Sequence, residues 1–153
     1  MSVIHTMIRV TNYLDPRMVY FLSVDSRDEA LEIMIDRSYA AGKIVDKAPF
    51  YKAIVNREKV VSTGIGMGVA IPHAKLPGYD QFFIAIGILS KGVEWGAVDG
   101  APVRIVFLIG GPDDKQTEYL QILSALTIAI KEEDLRKKML TLNSSHAIIN
   151  LFE

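Results

Sequence analysis

Phe82–Ser90 reads FFIAIGILS. Apart from its last residue, every position is apolar or glycine, so a strand built from it offers a hydrophobic face in both directions. Such a strand is stable only with cover on both sides of its sheet. Working outward, Val103–Ile109 (VRIVFLI) is a second strongly apolar run. The surrounding segment 60–112 carries just six charged side chains: Lys75, Asp80, Lys91, Glu94, Asp99 and Arg104. It also holds every glycine except Gly42. A charge-poor, glycine-punctuated, β-branched middle is sheet, and the charged flanks with 3.6-residue patterning are helices.

Strands are expected at Met18–Val24, Val60–Thr63, Val69–Ile71, Phe82–Ser90, near Val93–Trp95, and at Val103–Ile109. In the first flank, Ser26 and Glu29 form a capping box for a helix that carries Leu31, Met34 and Ile35 and stops near Gly42. A second helix is expected from Asp46 to about Arg57, with Pro49 in its first turn. In the last flank, Asp113 or Asp114 can cap a helix whose apolar stripe is Leu120, Leu123, Leu126 and Ile130. Shorter helices are expected near Glu132–Leu140 and Ser144–Phe152. The sum is a three-layer α/β/α domain with a mixed sheet of about five strands, one domain over residues 1–153.

Composition narrows the chemistry. The 153 residues include 17 basic and 18 acidic side chains, a balance unlike the basic footprint of a nucleic-acid binder. The apolar run Phe82–Leu89 falls well short of the ~20 residues of a membrane span. The first residues lack a signal-peptide core, so a cytoplasmic protein is expected. There is no cysteine and there are three histidines. His5, His73 and His146 have no metal-ligand spacing, so neither a metal nor another cofactor is expected. Any catalysis then rests on histidine, carboxylate, hydroxyl or Lys/Arg groups.

The stretch Ser62–Lys75, STGIGMGVAIPHAK, is the most informative for function. Glycines at 64, 66 and 68 let the backbone approach a ligand and turn amides toward an anion. Pro72 stiffens the chain immediately before His73. Arg57 precedes this stretch with a planar guanidinium suited to phosphate oxygens. A histidine that accepts a phosphoryl group needs one neutral nitrogen and donors around the oxygens. The plainer reading is that these glycines make turns and His73 is structural; spacing alone leaves both open. It does reject some rivals. The loop lacks the third position of a dinucleotide fingerprint, and no G-x-x-x-x-G-K-[ST] loop or G-x-S-x-G elbow is present.

Arg57-Glu58, Ser62-Thr-Gly-Ile-Gly66 and Ala70-Ile-Pro-His73 together resemble the signature of the fructose/mannitol-type IIA proteins of the bacterial phosphotransferase system, a family that includes the nitrogen-regulatory IIA proteins. The resemblance extends over roughly residues 10 to 150, through Asp28–Leu31, Gly92–Gly100 and Tyr119–Leu123. It implies the family's mixed sheet flanked by helices. It implies that His73 takes a phosphoryl group from a phosphohistidine carrier protein and passes it to a separate IIB chain or a regulatory target. It places Arg57 beside the phosphohistidine, and Ser62, Thr63, Gly64 and Gly66 around the phosphate. A nitrogen-type regulator is expected over a sugar transporter. One position departs: the family's second histidine, in a His-Leu-x-x-Leu pattern, is here Tyr119. A binding module that keeps the fold with impaired transfer is the alternative this departure raises. Trp95 is expected to pack near the site, Glu94 and Asp99 to be solvated turn acids, and Lys131–Lys138 to be a solvated helix face.

Overall fold

A computed structural model describes residues 8–153; His5 lies outside them. Two short 3-10 turns, Val10–Tyr13 and Pro16–Met18, lead into β1 (Val19–Leu22). Then follow α1 (Arg27–Ala40), α2 (Lys47–Val60), β2 (Gly64–Gly66), β3 (Val69–Ala70), β4 (His73–Leu76), β5 (Phe83–Val93) and β6 (Val103–Pro112). Three helices close the chain: α3 (Gln116–Ile130), α4 (Glu133–Met139) and α5 (Ser145–Asn150).

The strands form one mixed sheet in the order β1-β5-β6-β3-β2, with β4 also pairing β6. β5 and β6 are antiparallel, while β1 runs parallel to β5 and both β3 and β4 run parallel to β6. Side chains alternate across the two central strands. Phe83, Ala85 and Leu89 of β5, with Val106 and Leu108 of β6, join Leu31, Met34, Ile35, Phe50 and Ile54 of α1 and α2. Ile84, Ile86 and Ile88, with Ile105, Phe107 and Ile109, join Ile122, Leu126 and Ile130 of α3, Met139 of α4 and Ile148 of α5. The sheet is therefore covered twice, as the apolar β5 run requires.

Local signals act as anticipated around α1. The Ser26 hydroxyl accepts from the Glu29 amide at 3.1 Å, and the Glu29 carboxylate accepts from the Asp25 amide at 2.8 Å. Gly42 follows the helix at φ +81°.

Several expectations are corrected. The sheet has six strands because the motif stretch itself contributes β2 and β4. Val60–Thr63 is not a strand: α2 continues to Val60, and its last turn is tied to the following loop where Glu58 accepts from the Thr63 amide at 3.1 Å. The piece near Val93 is the end of β5. Neither Asp113 nor Asp114 caps α3; Lys115 is its N-cap and no side chain closes the turn. The buried stripe of α3 is Tyr119, Ile122, Ala125, Leu126 and Ile130, whereas Leu120 is 53% exposed and Leu123 half-buried. The two stripes share Leu126 and Ile130 and differ by one residue only in the first two turns, where both have helical spacing and periodicity alone cannot choose between them.

Candidate active site

Val69–Leu76 runs beside β6 as one extended segment broken at Pro72. Proline has no N–H for the ladder, but its carbonyl still accepts from the Ile109 amide at 2.9 Å. The chain rejoins the sheet at once, with His73 in register with Ile109. The imidazole is thus presented from a strand end held on both sides of a rigid residue.

His73 is half-buried, and its Nδ1 lies 3.1 Å from the Ile71 carbonyl oxygen. A carbonyl can only accept, so Nδ1 carries the proton and Nε2 keeps its lone pair. Burial, followed by the nearby Arg57 and Lys75 cations, holds the imidazole below its usual pKa of 6.5. The ring is therefore neutral near pH 7, the form that can act as a nucleophile.

A cavity of about 460 Å³ opens at this ring. Arg57, Ser62, Thr63, His73 and Tyr119 all line it, so the structure brings five of the residues singled out above to one place. Ile65, Ile71 and Leu123 supply apolar wall, and Lys131 adds a second cation besides Arg57. Gly64 and Gly66 are not in the lining. The Gly64 amide donates to the Ser62 hydroxyl at 3.0 Å, and a Cβ there would lie 2.8 Å from that of Ala97, a distance real carbons do not reach. Gly64 thus serves a close backbone approach. Gly66 turns the chain at φ +98° toward Met67, itself at φ +60°.

One wall of the cavity is a closed hydrogen-bond network. Thr63 is 3% exposed; its hydroxyl donates to the Glu58 carboxylate and accepts from the Trp95 indole N–H at 3.1 Å. The Ser62 hydroxyl donates to the Trp95 carbonyl at 2.6 Å. Arg57 donates to the Val61 carbonyl at 2.6 Å, which fixes its guanidinium at the end of α2. Trp95 is buried and packs here as expected.

The opposite wall is the first turn of α3. The Tyr119 ring stands 5.5 Å from the His73 ring and 6.1 Å from Phe82. Its hydroxyl has no hydrogen-bond partner among the described residues. Burial pushes the phenol up to about 12, so it remains a donor at neutral pH.

Four contributors escaped the sequence reading. Glu58 was visible only as part of a motif, yet it anchors Thr63. Asp99 is not simply a solvated acid: it accepts from the amides of Met67 and Ala101, both at 3.0 Å, and so staples two turns together. An aspartate two residues before an amide is a turn signal that could have shown half of this. Lys131 belongs to the cavity rather than to a purely solvated face. Lys75 carries a local signal, its two-residue spacing from His73 on a strand. His146 is exposed on α5, away from these groups.

Residues 12–153 match the family described as "Phosphoenolpyruvate-dependent sugar phosphotransferase system, EIIA 2". The chain belongs to this family. Among its relatives, the fructose-specific EIIABC component of the phosphotransferase system of Bacillus subtilis is 36% identical over 132 residues, which are 85% of this chain and 21% of that protein. The chain thus spans about a fifth of that relative. The fructose-specific EIIA component of Haloferax volcanii is 32% identical over 123 residues, 80% of each chain. In structure, the nitrogen regulatory protein IIA-Ntr of Neisseria meningitidis superposes with a TM-score of 0.87 at 26% identity, covering 94% of this chain and 99% of that one. An EIIA 2 protein is a phosphotransferase component that works through a phosphohistidine intermediate, and this EIIA carries the family's mixed α/β fold.

Proposed function

We propose that His73 is the residue on which this EIIA carries its phosphoryl group, on atom Nε2. The observation that carries the reading is the pairing of Nδ1 with the Ile71 carbonyl, which leaves the Nε2 lone pair at a cavity lined by Arg57. In the transfer step, Nε2 attacks phosphorus and a new P–N bond forms. The P–N bond to the donor's ring breaks, and its electron pair returns to that ring. The donor ring, protonated on its other nitrogen, leaves as neutral imidazole. His73 keeps its Nδ1 proton and becomes a protonated N-phosphoimidazole, so charge and protons balance. The Ile71 carbonyl then faces a more acidic N–H and stabilises the product.

Arg57 and the Tyr119 hydroxyl are the donors that can reach the phosphoryl oxygens. Such transfer relies on positioning and charge rather than on covalent help from the protein. Ser62 and Thr63 serve by shape, because their hydroxyls are already engaged within the wall. Gly64 and Gly66 serve by letting the loop pack closely. The donor is a phosphohistidine carrier protein. The acceptor is a separate IIB chain or a regulatory target, met in the cytoplasm. Relatives named fructose-specific and a structural neighbour named nitrogen regulatory support sugar transport and regulation alike. A binding module without transfer is the weaker reading, since it would have no use for a His73 Nε2 and a Tyr119 hydroxyl that line one cavity and have no hydrogen-bond partner among the described residues.

The test is intact-mass measurement after incubation with phosphoenolpyruvate and the general phosphotransferase proteins. Wild type gains one phosphoryl group and His73→Ala gains none. Unlabelled wild type, or label retained in His73→Ala, overturns the assignment.

A further inference from the structure

Lys75 plays no part in the step above, yet its placement is specific. It follows His73 by two residues in β4, so both side chains leave the same face of the strand. Its ammonium nitrogen sits 4.1 Å from the centroid of the Tyr119 ring, inside the ~6 Å range of an effective cation–π contact. The Gln116 side-chain oxygen accepts from it at 2.7 Å. Gln116 and Tyr119 are three residues apart in the first turn of α3, so one helix face supplies both the ring and the tether. The Tyr119 ring in turn stands beside His73, with a hydroxyl that is buried and unpartnered among the described residues.

The two contacts of that ring reinforce each other. An ammonium on the π face draws electron density from the ring, which makes the phenol hydroxyl a stronger donor. A hydroxyl donating to an anion returns density to the ring, which strengthens the cation–π contact. Burial alone works the other way, since it pushes the Tyr119 phenol up to about 12. Arg57 opposes that rise through space, and the Lys75 ammonium is seated on the ring face itself.

We propose that Lys75 is a positioning residue for phosphoryl transfer, acting through Tyr119: its ammonium, held on the ring by Gln116, makes the Tyr119 hydroxyl a charge-assisted donor to the phosphoryl oxygens on His73. This rests on the assignment of His73 as the carrier residue.

The experiment measures the rate of phosphoryl gain by intact mass for wild type, Lys75→Met, Lys75→Arg, Tyr119→Phe and the double variant Lys75→Met/Tyr119→Phe, with circular dichroism to verify the fold. Lys75→Met slows acceptance about fivefold, the rate equivalent of a ~1 kcal/mol cation–π contact. Lys75→Arg, which keeps a cation over the ring, stays within about twofold of wild type. In the Tyr119→Phe background, removing Lys75 costs nothing further. Wild-type rates in folded Lys75→Met overturn the proposal, as does a double variant whose losses multiply, because Lys75 would then act without the tyrosine. If Lys75→Met does not fold, Gln116→Leu replaces it in the same cycle with the same criteria. His73→Ala separates the two levels: label on that variant removes the His73 assignment, whereas labelled wild type with an unaffected Lys75→Met removes only the role of Lys75.

Discussion

Thr63 and Tyr119 each bring a buried hydroxyl to the same cavity, at 3% and 4% exposure, and the fold treats them in opposite ways. The Thr63 oxygen is saturated by Glu58 and Trp95. The Tyr119 oxygen has no partner among the described residues. An unsatisfied buried polar group costs roughly 1–3 kcal/mol, so a fold keeps one only where something else completes it. The difference separates a framework wall, built from the end of α2 and the loop after it, from a ligand-facing wall at the start of α3. Apart from Arg57, whose guanidinium lines the cavity, changes in the first wall should act on stability, and changes in the second on transfer.

The largest effect expected is in the framework. Glu58→Ala leaves the Thr63 amide and hydroxyl buried without their acceptor, and unfolding free energy should fall by about 3–4 kcal/mol in a denaturant titration. A loss below ~1 kcal/mol would show that the wall is not closed as described. Thr63→Val comes next. It leaves the Trp95 N–H without its acceptor and takes one donor from Glu58, whose carboxylate keeps the Thr63 amide and Arg27, at a cost of about 2 kcal/mol, while the folded variant accepts phosphoryl at close to the wild-type rate.

Tyr119→Phe should reverse that pattern. It removes an unpartnered group, so stability stays within about 0.5 kcal/mol of wild type, yet phosphoryl acceptance slows by up to about tenfold. Thr63→Val and Tyr119→Phe having the same profile would break the comparison outright.

The smallest effect concerns His73 itself. Its NMR titration midpoint should lie below 6.5 and move upward in Arg57→Met, which removes one of the two cations that oppose protonation. The sign for stability follows. The unfolded chain binds a proton near pH 6.5 and the folded chain only at lower pH. Lowering pH from about 6.5 toward the folded midpoint therefore costs stability, and the contribution is fully present above 6.5. A stability contribution from His73 that grows on acidification in that window would contradict a desolvated, neutral imidazole.

Legibility in the sequence varied with the kind of signal. The doubly covered sheet was readable from Phe82–Ser90, because alternation cannot hide an apolar residue at every position. The α1 cap was readable because Ser26 and Glu29 act within one turn. His73 and Arg57 stood out through rigid or planar chemistry beside glycines. The strands β2 and β4 did not, since their residues are ordered by pairing with partners distant in sequence rather than by their own propensity. The α2 terminus was set by Glu58 reaching Thr63, a tertiary contact with no periodic trace. The rotation of α3 that buries Tyr119 and exposes Leu120 was invisible because two adjacent stripes share the same period. Lys131 joins the cavity only through the path of α3, from Tyr119 at one end to the residue after Ile130 at the other.

The central claim is that His73 carries the phosphoryl group on Nε2 while Nδ1 stays bound to the Ile71 carbonyl. Nitrogen-15 NMR of the histidine rings, compared between the free and phosphorylated protein, tests it most directly. The account predicts phosphorus coupling at Nε2 of His73, with Nδ1 remaining a protonated hydrogen-bond donor. Phosphorus on Nδ1, or on any residue other than His73, would contradict it.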